Sequence, residues 1–393
     1  MRLLMGRNDL ARQSALAELR SDPGRRVTLL PTLTTALDRH LEQMEKRGQG
    51  SLAISEIVGV IAMVNRDEAK QCVIKLLDSK EMRVAMLATY ILGKQRIHEA
   101  TDLLIKQADR PEFKDHYGFR FNLVRSLILI QDPVADKFLK ELVRDLDGRL
   151  QYELMTALSE NDDTASEQPQ AELAENNAPE NKAPENKSSE AKDELANMLA
   201  KSKRNFSESH DDEIILGKSN YYGIPIRAKR LLFVIDTSGS MKEMTRYGTR
   251  LASAKRELSA AIKGLDQDAE FGVLFFSETV HSWQKDLKVA TEENKAEAIK
   301  FVSKLAASKS TNTYGALLAA TEFDDQLETV FLLTDGRPTC GDIVLPNLIL
   351  NDIMRRNETR HLKFNTVGIA VADVTENFLR AIASGSDGEF RQP

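Results

Sequence analysis

Cysteine is nearly absent. The 393 residues include two, Cys72 and Cys340, in stretches of different character, so neither a disulfide framework nor a thiolate zinc site can be assembled from them. No run of roughly 18 apolar residues occurs, which leaves no membrane-spanning helix to expect. The start, "MRLLMGRNDLARQSALAELRSDPGRR", is basic but lacks the continuous apolar stretch of a signal peptide. The expected compartment is therefore the cytoplasm, or the exterior if an export signal precedes this start.

An excess of positive charge is also missing. The formal net charge is -6, and residues 159–194 alone hold eleven acids against three lysines, a balance of -8. Everything else is close to neutral, which argues against a nucleic-acid binder, since that would need a basic face. The six histidines, His40, His98, His116, His210, His281 and His361, form no pair at ligand spacing. The one tryptophan, Trp283, reads as a core or edge residue.

What remains is the composition of an ordinary globular chain, 41% hydrophobic and 29% charged. Its length exceeds one typical core and implies two or three domains. Residues 1–158 read as helix after helix. In "EMRVAMLATYILGK", Val84, Leu87, Ile91 and Leu92 form one stripe, and Ala100, Leu103 and Leu104 continue it in the next segment. About 35 positions later Leu123, Leu127, Ala135, Phe138 and Leu139 repeat the design, with Asp132-Pro133 as a helix stop and restart. Such a period, two amphipathic helices long, marks a stacked array whose neighbours bury each other's faces. The pairs resemble HEAT repeats; an ordinary helical bundle is the alternative. Before them, Pro31 must kink a first helix or mark its start.

Residues 159–212 contain "NAPENKAPENK" and almost nothing to bury, so they read as a disordered acidic linker. From 213 to 393 apolar, β-branched segments alternate with helical ones. "RLLFVI", "EFGVLFFS", "ETVFLLT" and "KFNTVGIAV" read as strands covered on both faces, "TVHSWQ" as an antiparallel edge and "GEFRQ" as a last strand. The alternation predicts an open, mostly parallel α/β sheet sandwiched by helices, Rossmann-like, following an all-α helical repeat domain. Ligands of such sheets sit beyond the carboxyl ends of the strands.

That position is where the chemistry gathers. "RLLFVIDTSGSM" turns from apolar strand to Asp236, Ser238 and Ser240, and Gly239 gives the loop backbone freedom. "VFLLTDG" also ends in an acid, Asp335, while "SKSTNTYGALLAA" brings Thr311 and Thr313 to the head of a helix. Carboxylates and hydroxyls without thiols or imidazoles suit a hard cation such as Mg²⁺. A helix cap and turn is the plainer reading of Asp236 to Ser240 taken alone.

The three segments together resemble the von Willebrand factor type A (VWA) domain over about residues 228–391. "DTSGSM" matches the family's Asp-x-Ser-x-Ser element, Thr311 its second-loop threonine, and Asp335 in "LLTDGRPT" its third-loop acid. The resemblance implies a metal-ion-dependent adhesion site (MIDAS). Ser238, Ser240 and Thr311 would offer hydroxyls, and Asp236 and Asp335 would bind the ion directly or through water. The ion would be Mg²⁺, with Mn²⁺ or Ca²⁺ as alternatives. One position would stay open for a Glu or Asp of a partner protein. Lys309 and Ser310 stand where the family commonly has two glycines.

The function read from the sequence is thus metal-dependent protein binding without catalysis, with the helical array as a second binding surface. An adaptor or cofactor subunit of an ATP-driven complex is the alternative. A Mg²⁺-dependent phosphatase-like hydrolase is more remote: Ser238 stands where such enzymes place their second aspartate, no Walker-type loop is present, and no base is evident. Cys340 reads as a loop filler and Arg337 as a solvated charge. The oligomeric state is left open.

Overall fold

The structure is a computed structural model that describes residues 4, 9–47, 52–166, 220–246 and 248–393. The expected acidic linker falls, from residue 167 onward, outside the described residues. Two compact units are present, Met1–Glu141 and Leu142–Pro393, where the sequence reading carried the helical region on to 158.

The first unit is helical, with no strand among its described residues. Helix Leu30–Arg47 has Pro31 as its second residue, so this proline marks a start and introduces no kink. The expected helix pairs are helices Met82–Lys94 and Thr101–Lys106, then Tyr117–Ile130 and Pro133–Leu142. Between the last two, Gln131 takes the left-handed conformation at φ 56°, and the Asp132 carboxylate accepts from the Val134 N–H at 2.9 Å. An αL residue, an acidic cap and a proline at the first turn are the local reasons one helix stops and the next begins.

Burial follows the stripes with one correction. Val84, Ile91, Leu92, Ala100, Leu104, Leu123, Leu127, Ala135 and Leu139 are buried, but Leu103 is 37% exposed, and Leu87 and Phe138 are half-buried. The stripe turns away at Leu103 because Thr101–Lys106 is under two turns long and Leu104 already fills the inward position. Helices Met82–Lys94 and Tyr117–Ile130 meet at backbone distance. A Cβ on Gly93 would lie 2.4 Å from the Ser126 backbone, and the Ser126 hydroxyl donates to the Thr89 carbonyl at 2.8 Å.

The second unit holds a seven-stranded sheet. Its strands are β1 (Arg230–Asp236), β2 (Glu270–Phe276), β3 (Val280–Ser282), β4 (Lys288–Val289), β5 (Thr329–Thr334), β6 (Lys363–Gly368) and β7 (Phe390–Arg391). The spatial order is β7-β6-β5-β1-β2-β3, with β4 pairing β2. Strands β7, β6, β5, β1 and β2 run parallel, whereas β3 and β4 are antiparallel to β2. The mostly parallel α/β sheet, its antiparallel edge and its last strand are as the sequence implied; β4 and the hairpins Asn220–Tyr221/Ile224–Pro225 and Met244–Thr245/Gly248–Thr249 are additional.

Period-two alternation sends the strands into two cores. Leu231, Phe233 and Ile235 of β1 join Phe331 and Leu333 of β5 on the face of helix Arg250–Gly264. Leu232 and Val234 join Val330 and Leu332 on the face of helices Thr313–Thr321, Pro346–Arg360 and Asp373–Ser384. All five apolar residues of β1 are 0–1% exposed, each contributing about 1.5–3 kcal/mol of burial. In-register pairing of β1 with β5, Ile235 opposite Leu333, brings their carboxyl ends level.

At the amino end of the sheet a second anchor forms. Glu328, 1% exposed, accepts from the Arg149 N–H at 3.0 Å, the Lys229 N–H at 3.4 Å and the Arg230 guanidinium at 3.2 Å. It thereby caps the start of helix Gly148–Ser166. Gly148, at φ +61°, is required here: a Cβ would lie 2.7 Å from the Glu328 carboxylate. Arg230 also pairs with Asp147 at 3.1 Å. Burial pushes Glu328 up to about 7, against its three donors, which lower it.

Two outcomes follow. Gly93→Val should destabilise the protein by about 1–3 kcal/mol or more, because the Ser126 backbone cannot withdraw; denaturant unfolding checks this. Glu328 ionises less readily when folded than its ordinary value of 4.5. Its contribution is therefore fully present below about pH 4.5 and is lost as pH rises towards about 7, a change on the order of 3 kcal/mol. Urea unfolding over that interval should show a shallower loss in Glu328→Gln, and an unchanged slope would refute this.

Candidate functional site

Strand β1 ends in Asp236, whose carboxylate is fully buried. One oxygen accepts from the Ser238 N–H at 2.7 Å and the other from the Thr334 hydroxyl at 2.5 Å. The loop beyond it is fixed by its backbone. Thr237 N–H donates to the Phe276 carbonyl at the end of β2 (2.8 Å), Ser308 N–H to the Thr237 carbonyl (2.7 Å) and Gly239 N–H to the Lys309 carbonyl (3.2 Å). A Cβ on Gly239 would stand 3.0 Å from the Ser308 carbonyl oxygen and 3.1 Å from that of Lys309, so glycine lets the first loop lie on the second. Lys309 takes part through its carbonyl while its side chain is exposed, which explains why this pairing needs no glycine there.

The five residues singled out in the sequence occupy one end of the sheet. Ser238 and Ser240 hydroxyls lie 3.1 Å apart, and Ser240 donates to one Asp335 oxygen at 2.7 Å. A Cβ on Gly336 would be 3.6 Å from the Ser240 hydroxyl and 4.0 Å from that of Thr311, so Thr311 faces the same spot from the second loop. Thr313 is the first residue of helix Thr313–Thr321, behind the Asn312 cap that accepts from the Gly315 N–H. Its hydroxyl is buried with no partner among the described residues. Asp236, Ser238, Thr311 and Asp335 are buried; Ser240 is half-buried.

Three contributors escaped sequence reasoning. The Thr334 hydroxyl holds Asp236. Thr339 joins the second and third loops, its hydroxyl accepting from the Thr311 N–H at 2.8 Å and its N–H donating to the Thr311 carbonyl at 2.9 Å. Arg250 donates to the second Asp335 oxygen at 2.9 Å and pairs with Glu243 at 2.7 Å. Only Thr334 left a signal, adjacent to Asp335 at a strand end; Arg250 looked like one more cation on an amphipathic helix. Arg337 is exposed, and Trp283 is buried, stacked on Phe271 at 5.3 Å.

Burial pushes Asp236 up to about 6; the Thr334 and Ser238 hydrogen bonds oppose this and neighbouring Asp335 adds to it. The chemistry of the set is two carboxylates and three hydroxyls within one small volume. No group of three or more His, Cys, Asp or Glu among the described residues could hold a metal, so a cation here would be bound largely by neutral oxygens and retain much of its charge.

Residues 231–392 match the family model of the von Willebrand factor type A domain. The carboxy-terminal unit carries a VWA domain. The chain is 33% identical over 186 residues to human von Willebrand factor A domain-containing protein 3A, covering 46% of this chain and 14% of that protein. It is 30% identical over 180 residues to mouse inter alpha-trypsin inhibitor heavy chain 4, covering 43% and 18%. It therefore spans under a fifth of the length of these relatives. Among solved structures, a von Willebrand factor type A protein from Catenulispora acidiphila matches with 24% identity and a TM-score of 0.37, over 42% of this chain and 38% of that one. VWA domains in general mediate protein–protein interactions, and the matched family is not a catalytic one. No helix among the described residues is long and apolar enough to cross a membrane.

Arg250 supplies a charge that any bound cation must face. Replacing it removes a like charge beside Asp335, so Arg250→Gln should tighten any divalent-cation binding at this spot by roughly tenfold. Calorimetric titration against wild type checks this, and weaker binding would assign Arg250 to holding Asp335 in place instead.

Proposed function

We propose that the VWA domain binds partner proteins through a divalent cation held by Asp236, Ser238, Ser240, Thr311 and Asp335, with Mg²⁺ as the ion. The observation that carries this reading is the Ser240 hydroxyl between the Ser238 hydroxyl and the Asp335 carboxylate, with Thr311 facing the same spot. Three loops meet there without an imidazole among them. A turn cap explains why Asp236 accepts from the Ser238 N–H; it does not explain why a second buried carboxylate and a hydroxyl from another loop converge on the same serine.

The residues fit the ion by their chemistry. Mg²⁺ favours compact oxygen donors and keeps some of its water. When bound it would supply a positive centre for a carboxylate ligand. This chain's groups do the rest: Thr334 and the Ser238 N–H orient Asp236, Thr339 ties Thr311 to the third loop, and Arg250 sets the charge beside Asp335. An aspartate or glutamate of a partner would complete the site, and the surrounding interface would supply affinity around that one ionic contact. The helical unit, read as HEAT-like, would offer a second partner surface, so that one chain could hold two proteins at raised effective concentration.

The test is direct titration of the full chain with Mg²⁺ and Mn²⁺ by calorimetry, followed by capture from cell extract with metal or chelator. Asp236→Ala and Asp335→Ala should each lose ion binding and metal-dependent capture while circular dichroism stays that of wild type. Capture indifferent to metal and to both substitutions would sink the proposal.

A further inference from the structure

The end of the sheet opposite these loops holds a second feature. Helix Gly148–Ser166, the segment before β1 and the starts of β5 and β6 enclose a crevice of about 70 Å³, several times the space one water needs. Three cations from separate parts of the chain line it: Arg149, Arg227 and Lys363. Two acids also line it, and each has an arginine. Glu153 accepts from Arg149 at 2.5 Å and Glu389 from Arg391 at 2.9 Å. Lys363 is half-buried, and among the described residues neither its ammonium nor the exposed Arg227 guanidinium has a hydrogen-bond or ion-pair partner. Burial, reinforced by Arg149 and Arg227 and opposed by the charges of Glu153 and Glu389, holds the Lys363 amine below its ordinary value. Asn365 lines the crevice too, its amide oxygen taken by the Glu389 N–H at 2.9 Å, which leaves the amide nitrogen as a donor.

With Arg149 paired to Glu153 and Glu389 to Arg391, Lys363 and Arg227 are left as two like charges beside a concave, partly desolvated space, which costs free energy unless a further anion offsets it. Arginine forks and an ammonium are the groups that match phosphoryl oxygens. We propose that this crevice binds a phosphate or phosphoryl group between Lys363 and Arg227, with the Asn365 amide nitrogen as a further donor; Arg149 is taken by Glu153 and by the His361 carbonyl at 2.9 Å. The metal loops lie at the other end of the strands, so this site stands or falls independently of the cation reading.

The experiment titrates inorganic phosphate into the full chain at constant ionic strength made up with chloride, followed by calorimetry and by amide chemical shifts. Wild type should saturate. Lys363→Gln and Arg227→Gln should each weaken binding by about tenfold, and the pair should abolish it. Exposed Arg227 can be changed without touching the core, so that variant decides the question even if Lys363→Gln folds poorly. A linear, unsaturable response of wild type, or equal affinity in Arg227→Gln, would overturn the site. Saturation by acetate with the same affinity would overturn the phosphoryl assignment.

Discussion

Everything at the metal-loop end of this domain depends on one buried carboxylate. Asp236 leaves water because β1 is central, with β5 on one side and β2 on the other, and its pairing carries the chain straight into the interior of the loop cluster. A carboxylate there is costly unless its oxygens are occupied. The molecule occupies them with a backbone N–H from its own loop and a hydroxyl from the end of β5. The Ser238 contact dictates the turn that follows, and the Thr334 contact fixes the side on which Asp335 emerges. The serines, Gly239 and the second loop then have little freedom left.

The opposite end of the sheet repeats the logic with a different purpose. Glu328 is as buried as Asp236, but its donors are a helix start, a strand approach and a guanidinium. That arrangement fastens helix Gly148–Ser166 onto the sheet's amino end and makes Gly148 indispensable. One end thus gathers oxygen atoms around a point, while the other consumes a carboxylate's capacity in holding elements together and leaves an excess of cations beside it.

Two arginines show how position decides chemistry. Arg230, on the first residue of β1, is an architectural counter-ion to Asp147 and Glu328. Arg250, on the first turn of its helix, reaches Asp335 and sets the charge that a cation at the loops would meet. Nothing in their local sequence distinguishes them.

The sequence by itself determined the elements and the candidate set. Apolar β-branched runs could only be buried strands, their alternation with helices implied the parallel sheet, and the acids closing β1 and β5 stood where such sheets place ligands. The five residues of the loops were legible because their types and order are local facts. Leu103 was misjudged because a stripe assumes a helix long enough to keep one face inward, and its helix is too short. Only the tertiary structure decided the rest. Thr334, Thr339 and Arg250 act across loops far apart in the chain, and the Glu328 anchor joins residues 149 and 328. The cation-lined crevice is assembled from segments that no spacing rule connects. Periodicity reports which face of an element is apolar; which polar groups meet is set by strand register and loop packing, quantities that exist only once the sheet has formed.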